Sequence, residues 1–496
     1  MINEMKFKNK NTRTILYASV LSVMLATTTS CKKNFLNTVP VTSFSPATAF
    51  NTPARMLAQV NALYEQLKSG YLLGGRYEVY GELRADEFIN AKSNGVTGLD
   101  TWNQNVNSGT NEVKNTWQYA YLTINSCNVF LQGLSDNPNV LDAATSAQYA
   151  AEAKFVRAYS YLLLVQLYAQ PYTANNGASL GLPLRLKAES GTGSNDLARS
   201  TVAQVYQQIL SDLNAAETGL PLTYATAALN TSRAHKNTAI ALKTRAYLNM
   251  GDYANAVKEA AKIVTLTGSA YQAPTGVANK LETSDVTVFN SSYTGPEALL
   301  TMIFASNDQP GSQFALGSYY TPGTEYWLNP AATIADPAYS SATSTDTRKT
   351  LLQVTGGHTY LNKWKTTQSP YIDYIPVIRY AEIMLNYAEA AARTNDLATA
   401  TRLLNAVRRR SDPAYVFPVT ATATQTALIN TILTERRIEL LGEGFKSFDL
   451  MRLQQPLPAK SGPPGNAPAV APSAPNYIWP ISGDELALNK LCQPNP

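Results

Sequence analysis

Tyr247-Leu248-Asn249-Met250-Gly251-Asp252-Tyr253-Ala254-Asn255-Ala256 and Ala391-Ala392-Arg393-Thr394-Asn395-Asp396-Leu397-Ala398-Thr399-Ala400 fall into register when Asp252 is laid over Asp396. Each copy reads as a helical hairpin. Before the turn, small apolar residues recur at helical spacing: Ala239, Leu242 and Ala246 in one copy, Met384, Leu385, Ala388 and Ala391 in the other. After it the stripe resumes through Ala256, Val257, Ala260 and Ile263, and through Ala400, Leu403, Leu404 and Val407. Gly251 and Asn395 are residue types that stop a helix. Small residues let two helices approach closely, and stacked hairpins bury a shared core. The pattern is tetratricopeptide-like, and the fold class it predicts is mainly α.

Other stretches extend this scaffold. Residues 147–169 are apolar on nearly every side (Phe155, Tyr159, Leu162, Leu163, Val165, Leu167), which predicts a helix buried between neighbours. A second helix is expected over 201–217, with Val205, Ile209 and Leu213 on one stripe. Between the helical blocks lie long segments rich in Gly, Asn, Ser, Thr and Tyr, at 69–108, 180–200 and 268–369. Loops of that length are usually functional when ordered. Residues 454–475 hold seven prolines and predict an extended, polyproline-like excursion. Residues 31–496 are thus expected to form one domain, a helical-repeat scaffold with loop insertions near 69–108, 268–369 and 454–475.

The N-terminus has a different character. Lys6, Lys8, Lys10 and Arg13 precede the apolar run from Ile15 to Ala26, and small residues close it before Cys31. Residues 1–30 read as an export signal, and Cys31 as the lipidated first residue of a bacterial lipoprotein. Acyl chains of the palmitate type contribute roughly 0.8 kcal/mol per buried methylene, so several of them hold a wet domain on a membrane without a spanning helix. Removing the signal takes away four basic residues and Glu4, lowering the net charge from +5 to +2. A nearly neutral chain gives no support for nucleic-acid binding, which needs a concentrated basic face. Of the other two cysteines, Cys127 falls in a helical pattern and is expected as a buried free thiol.

The stretch Thr434-Glu435-Arg436-Arg437-Ile438-Glu439-Leu440-Leu441-Gly442-Glu443-Gly444-Phe445-Lys446-Ser447-Phe448-Asp449-Leu450-Met451-Arg452 resembles the C-terminal signature of the SusD/RagB family of outer-membrane lipoproteins. Further segments agree in the same order. They are Cys31-Lys32-Lys33-Asn34-Phe35-Leu36, Glu82-Leu83-Arg84-Ala85-Asp86-Glu87, Trp117 with Tyr121 and Asn125, Glu152 with Arg157-Ala158-Tyr159, Arg379-Tyr380-Ala381-Glu382, and Trp479-Pro480-Ile481 near the end. The resemblance implies a SusD-like α-α superhelix. It also implies a surface-exposed lipoprotein, anchored in the outer membrane, that captures a glycan or in some members a peptide. Such a protein acts as a hinged lid on a TonB-dependent, SusC-like transporter.

Catalytic chemistry has little to be built from. The chain has two histidines, His235 and His358, in different segments, so a histidine zinc site or a serine-histidine triad is not expected. Calcium-loop and phosphate-loop spacings are missing from the sequence, and neither a metal nor a cofactor is predicted. Asp86 and Glu87 form the one acidic pair that a surface glycosidase could use as acid and base. Glu435, Arg436, Arg437, Glu439, Glu443, Lys446, Asp449 and Arg452 instead alternate in sign, the pattern of an ion-pair network fixing one helix to the scaffold.

A glycan site needs flat apolar faces with planar hydrogen-bonding groups at their rim, which aromatic rings and amides supply. Tyrosine is heavily used, 29 against 13 phenylalanines, and many tyrosines lie in the predicted loops. Tyr77 and Tyr80 lead toward Trp102 and Asn105; Tyr320, Tyr326 and Trp327 cluster in the long insertion, with Tyr293 upstream. These eight residues are the predicted ligand face. Trp117, Trp364 and Trp479 are expected to pack inside the scaffold. A binding module that captures without converting is the leading reading; a glycosidase using Asp86 and Glu87, or a helical adaptor with no small ligand, are the alternatives. The anchor can be tested on its own. Cys31→Ala is expected to move the protein into the soluble fraction and to abolish labelling by a fatty-acid probe; unlabelled, soluble wild-type protein would end the lipoprotein reading.

Overall fold

The computed structural model describes residues 48–495 apart from 192, 194 and 268–270; the predicted signal and Cys31 lie outside them. The helices that carry the fold are, in chain order, α1 (Pro53–Leu67), α2 (Arg76–Leu83), α3 (Asn111–Asp136), α4 (Ala143–Tyr168), α5 (Val202–Gly219), α6 (Lys236–Met250), α7 (Tyr253–Ile263), α8 (Tyr380–Arg393), α9 (Leu397–Ser411), α10 (Gln425–Glu439) and α11 (Lys446–Arg452). The two copies of the sequence repeat form the hairpins α6–α7 and α8–α9. Gly251 and Asn395 both turn the chain in the left-handed region, at φ 72° and 68°. The repeated aspartates cap the second helix of each hairpin. Asp252 accepts a hydrogen bond from Asn255 N at 3.2 Å and Asp396 one from Thr399 N at 3.0 Å, satisfying otherwise orphaned helix donors.

The hairpins stack in sequence, α3 on α4, α4 on α5, and so on through α8, which also packs on α9 and α10. Ala239, Ala246, Ala256, Ala260, Ala388 and Ala400 are all fully buried at these contacts. Helix α4 is covered along most of its length, including Phe155, Leu162, Leu163 and Leu167, as its all-round hydrophobicity predicts. Cys127 and Cys492 are free, buried thiols. No helix among the described residues is long and apolar enough to cross a membrane.

Short antiparallel ladders cover the segments read as loops. Strand β1 (Phe88–Asn90) pairs with β3 (Tyr326–Leu328), β2 (Ala298–Met302) with β6 (Ile375–Arg379), β4 (Leu352–Thr355) with β5 (His358–Leu361), and β7 (Lys460–Gly462) with β8 (Gly465–Ala467). The proline-rich 454–475 therefore differs from expectation. Pro463 and Pro464 turn a hairpin there instead of an extended excursion, and the buried Lys460 ammonium ties it down by donating to the Leu83 and Ala85 carbonyls.

The alternating charges of 435–452 form the expected network, and it is buried. Arg379, on β6, reaches Glu297 at 2.8 Å, Glu439 at 2.6 Å and Glu443 at 2.6 Å. Arg348 reaches Glu435 at 2.7 Å and Glu439 at 3.0 Å, Arg410 bonds Glu297 and Glu439, and Lys363 bonds Glu443 at 2.6 Å. Burial by itself would raise the Glu439 carboxyl; Arg410, Arg379 and Arg348 outweigh it and hold the group well below the usual carboxylate range.

Helix α2 is pressed against the turn joining α10 to α11. A Cβ on Gly81 would lie 2.1 Å from the Gly444 carbonyl oxygen, so glycine is required where the two backbones meet. Beside that contact, Glu78 is buried with its Oε2 lacking a hydrogen-bond partner among the described residues. Burial pushes its carboxyl up to about 8. The folded protein then keeps a proton that the unfolded chain releases above about pH 4.5, so this group subtracts stability as pH rises toward 8. Glu78→Gln is expected to remove that slope, worth about 1.4 kcal/mol per pH unit. Urea denaturation at pH 5, 6.5 and 8 should show wild type losing ground to the variant; parallel profiles would contradict it.

Candidate ligand-binding site

The β1–β3 ladder decides which predicted aromatics can meet a ligand. Side chains alternate across a strand, so Phe88, Asn90, Tyr326 and Leu328 turn inward while Ile89 and its partner Trp327 share the outer face. Trp327 is half-buried. Against it lies His358, the first residue of β5, with ring centroids 4.0 Å apart and planes at 19°. His358 is exposed, and its hairpin turns through Gly356 and Gly357, both at positive φ. The result is a stacked indole–imidazole pair open to solvent. Exposed Gln353, Val354 and Thr355 lie on β4 of the same hairpin. Glu325, just before β3, accepts from Asn94 Nδ2 at 3.2 Å and from Thr97 Oγ1 at 3.0 Å, which adds a half-buried carboxylate and an amide near the strand's start.

Most of the other predicted ligand residues are not on that surface. Trp102 is fully buried, its Nε1 donating to the Phe88 carbonyl at 2.8 Å from behind β1. Tyr80 packs edge-on against Trp479, and Tyr320 stacks on Phe88 at 4.6 Å. Tyr326 donates to the Thr97 carbonyl at 3.0 Å, and Tyr77 stacks on Phe448 while donating to Gln166 at 3.1 Å. All five are buried. The reason is physical: a long insertion needs its own small core, and a tyrosine ring fills one; the Tyr77 and Tyr326 hydroxyls reach an amide or backbone acceptor, while those of Tyr80 and Tyr320 have no hydrogen-bond partner among the described residues. Tyr293 is half-buried and edge-on to Tyr374 instead of Trp327, and Asn105 is exposed on the segment after Trp102. Trp117, Trp364 and Trp479 are buried, as expected.

The two acidic residues differ: Asp86 is half-buried with its Oδ1 lacking a hydrogen-bond partner among the described residues, while Glu87 is engaged elsewhere. Glu87 accepts from Thr333 N at 3.0 Å and Thr333 Oγ1 at 2.7 Å and faces Arg437 and Lys446. Burial raises its carboxyl, but Lys446, Arg437 and the Thr333 bonds outweigh this and hold it below the usual range, which suits a fixed anion and not a proton donor. Among the described residues no cluster of three or more His, Cys, Asp or Glu side chains could hold a metal ion.

Comparison with known proteins places this geometry. A model of the SusD family matches residues 310–496, and a second, described as starch-binding and associating with the outer membrane, matches 34–248. A crystal structure of a SusD superfamily protein from Bacteroides fragilis is 33% identical, covers 90% of this chain and all of its own, and superposes with a TM-score of 0.80. The chain belongs to the SusD family. A SusD-like protein of Formosa agariphila is 24% identical over 97% of this chain and 99% of its own. A laminarin-binding SusD-like protein, 22% identical, shares the fold over 90% of this chain and all of its own, with a TM-score of 0.68.

His358 is the residue that sequence reasoning misses within this SusD fold. A lone histidine in a long insertion carries no signal of its own; the Gly356-Gly357 turn hints at a hairpin, and nothing in the sequence ties that hairpin to β3. The two tryptophans make opposite predictions. Trp102→Ala is expected to cost about 3 to 5 kcal/mol, the scale for emptying a buried aromatic site. Trp327→Ala is expected to cost about 1 kcal/mol, the worth of one ring stack. Urea denaturation of both variants checks this, and a larger loss at Trp327 would make it a core residue.

Proposed function

We propose that the protein captures an oligosaccharide at the Trp327–His358 surface, holds it outside the cell as a lipid-anchored protein of the outer membrane, and delivers it to a TonB-dependent transporter. The observation that carries this reading is the half-buried Trp327 beneath an exposed histidine, on a ladder whose other aromatics are all turned inward. The stacked pair, fixed by two strands, gives a sugar the outer imidazole face and the indole edge as a platform, and the polar groups of the β4–β5 hairpin and Asn94 can bond its hydroxyls. Support also comes from the family descriptions and from the laminarin-binding relative of the same fold. Capture without conversion fits the site, because Glu87, one of the two carboxylates a glycosidase could use as acid and base, is held as a fixed anion by Thr333, Arg437 and Lys446.

The transporter is inferred from mechanics as well as family. A binding protein tethered outside cannot carry cargo inward, and a barrel must do so; the lid would close with the Trp327 face toward its mouth. Isothermal titration with laminari- and malto-oligosaccharides should find one that binds without being hydrolysed, and Trp327→Ala should weaken it by about 1 to 3 kcal/mol. Purification of the lipidated protein from mild detergent should bring down a TonB-dependent barrel in stoichiometric amount. Turnover of the sugar, or unchanged affinity in Trp327→Ala, would count against the assignment.

A further inference from the structure

Helices α10 and α11 leave a second recess that the glycan reading does not use. Ile429 and Leu433 on α10 face Leu450 and Leu453 of the α11 segment across an open groove of about 550 Å³. All four are only half-buried, although two apolar stripes this close would ordinarily pack together. The volume lies in the range of ligand pockets. No aromatic ring lines the groove, so it offers no platform for a sugar, while the exposed Thr426, Asn430 and Gln455 bring hydrogen-bonding groups to its rim.

The charges at one end are out of balance. Arg437 and Lys446 flank the turn that joins the two helices, at the end of a cluster in which five cations meet four carboxylates, Asp86 among them because its charge also acts on Lys446. Asp449 is taken at 2.7 Å by Arg436 and at 2.8 Å by Arg452; Glu389 is taken at 2.6 Å by Arg452 and at 2.8 Å by Arg393. Arg437 and Lys446 are left to share Glu87 at the looser distances of 3.2 and 3.4 Å. That carboxylate is already committed to Thr333. Glu82, on the adjacent α2, brings no relief: burial pushes its carboxyl up to about 8, so it is neutral at pH 7. In a partly buried setting, unmatched positive charge favours an anion strongly.

We propose that this groove binds the C-terminal end of a short aliphatic peptide, its carboxylate seated between Arg437 and Lys446 and its side chains lying on Ile429, Leu433, Leu450 and Leu453. A fatty acid would supply the same carboxylate and an apolar chain, but it has no amides for the Thr426, Asn430 and Gln455 rim. The guanidinium of Arg437 presents a fork that suits a carboxylate, and it is partly open to solvent.

Calorimetry on the purified full chain tests this with three probes: acetyl-Ala-Val-Leu as the free acid, the same peptide as its C-terminal amide, and octanoate. The free acid is expected to bind, with the amide and octanoate each at least tenfold weaker. Arg437→Gln should weaken the acid at least tenfold and leave the amide unchanged. Leu433→Asp, which places a carboxylate in the groove away from Glu87, should abolish binding of the acid without lowering the melting temperature, and it decides the matter if Arg437→Gln fails to fold. No binding of the acid at millimolar concentration, equal binding of acid and amide, or octanoate as tight as the peptide would each overturn the proposal.

Discussion

The structure depends on a buried knot of charge centred on Glu439. One carboxylate at the end of α10 meets Arg348, Arg379 and Arg410, which come from a 3-10 turn, from β6 and from the end of α9. Isolating any of these charges inside the protein would cost several kcal/mol, so none can be withdrawn while the others stay. The knot therefore works as a locator. It fixes α10 relative to the β2–β6 ladder and to the preceding hairpin, and from there it fixes the turn through Gly442 and Gly444 that starts α11. Helix packing through alanines is close but unspecific in register; the charges specify one arrangement.

The same demand for internal satisfaction explains the aromatic insertions. Between the helices the chain carries more tyrosine and tryptophan than its scaffold can cover, and most of these rings turn inward to make a small core of their own. Trp102 and Tyr326 are held there by bonds to a backbone carbonyl or a neighbouring amide, and Tyr320 by stacking on Phe88. On the β1–β3 ladder the strand position facing the other way escapes. Trp327 is that position on β3, and the β4–β5 hairpin lays His358 over it. A rigid interior and an outward-facing indole are thus two outcomes of one alternation.

Two surfaces with different chemistry result from this arrangement. The β-ladder surface offers flat rings, hydrogen-bonding groups and the Glu325 carboxylate. The α10–α11 groove offers aliphatic walls and unmatched cations. They lie on different elements, and each is set by what the ion-pair network leaves over: the insertions pack where the charges hold them, and Glu87 is stretched between two cations because Thr333 also claims it.

Local physics made the helical scaffold legible in the sequence. Small residues at helical spacing, a helix-stopping Gly251 or Asn395, and an aspartate cap are properties of neighbouring residues, and they survive without knowledge of the rest of the chain. The sign alternation over 435–452 was equally readable, because ion-pair potential is written along one helix. Which insertion aromatics face solvent was not. Whether an aromatic in a loop points out or in depends on strand partners far away in sequence: Phe88 with Leu328, Ile89 with Trp327, His358 with Trp327. Composition placed Trp102 and Trp327 on equal terms, and only the tertiary register of β1 on β3 separated a buried indole from a presented one. The groove was hidden for the same reason, since a half-buried leucine and a fully packed one read alike until the helix opposite is in place.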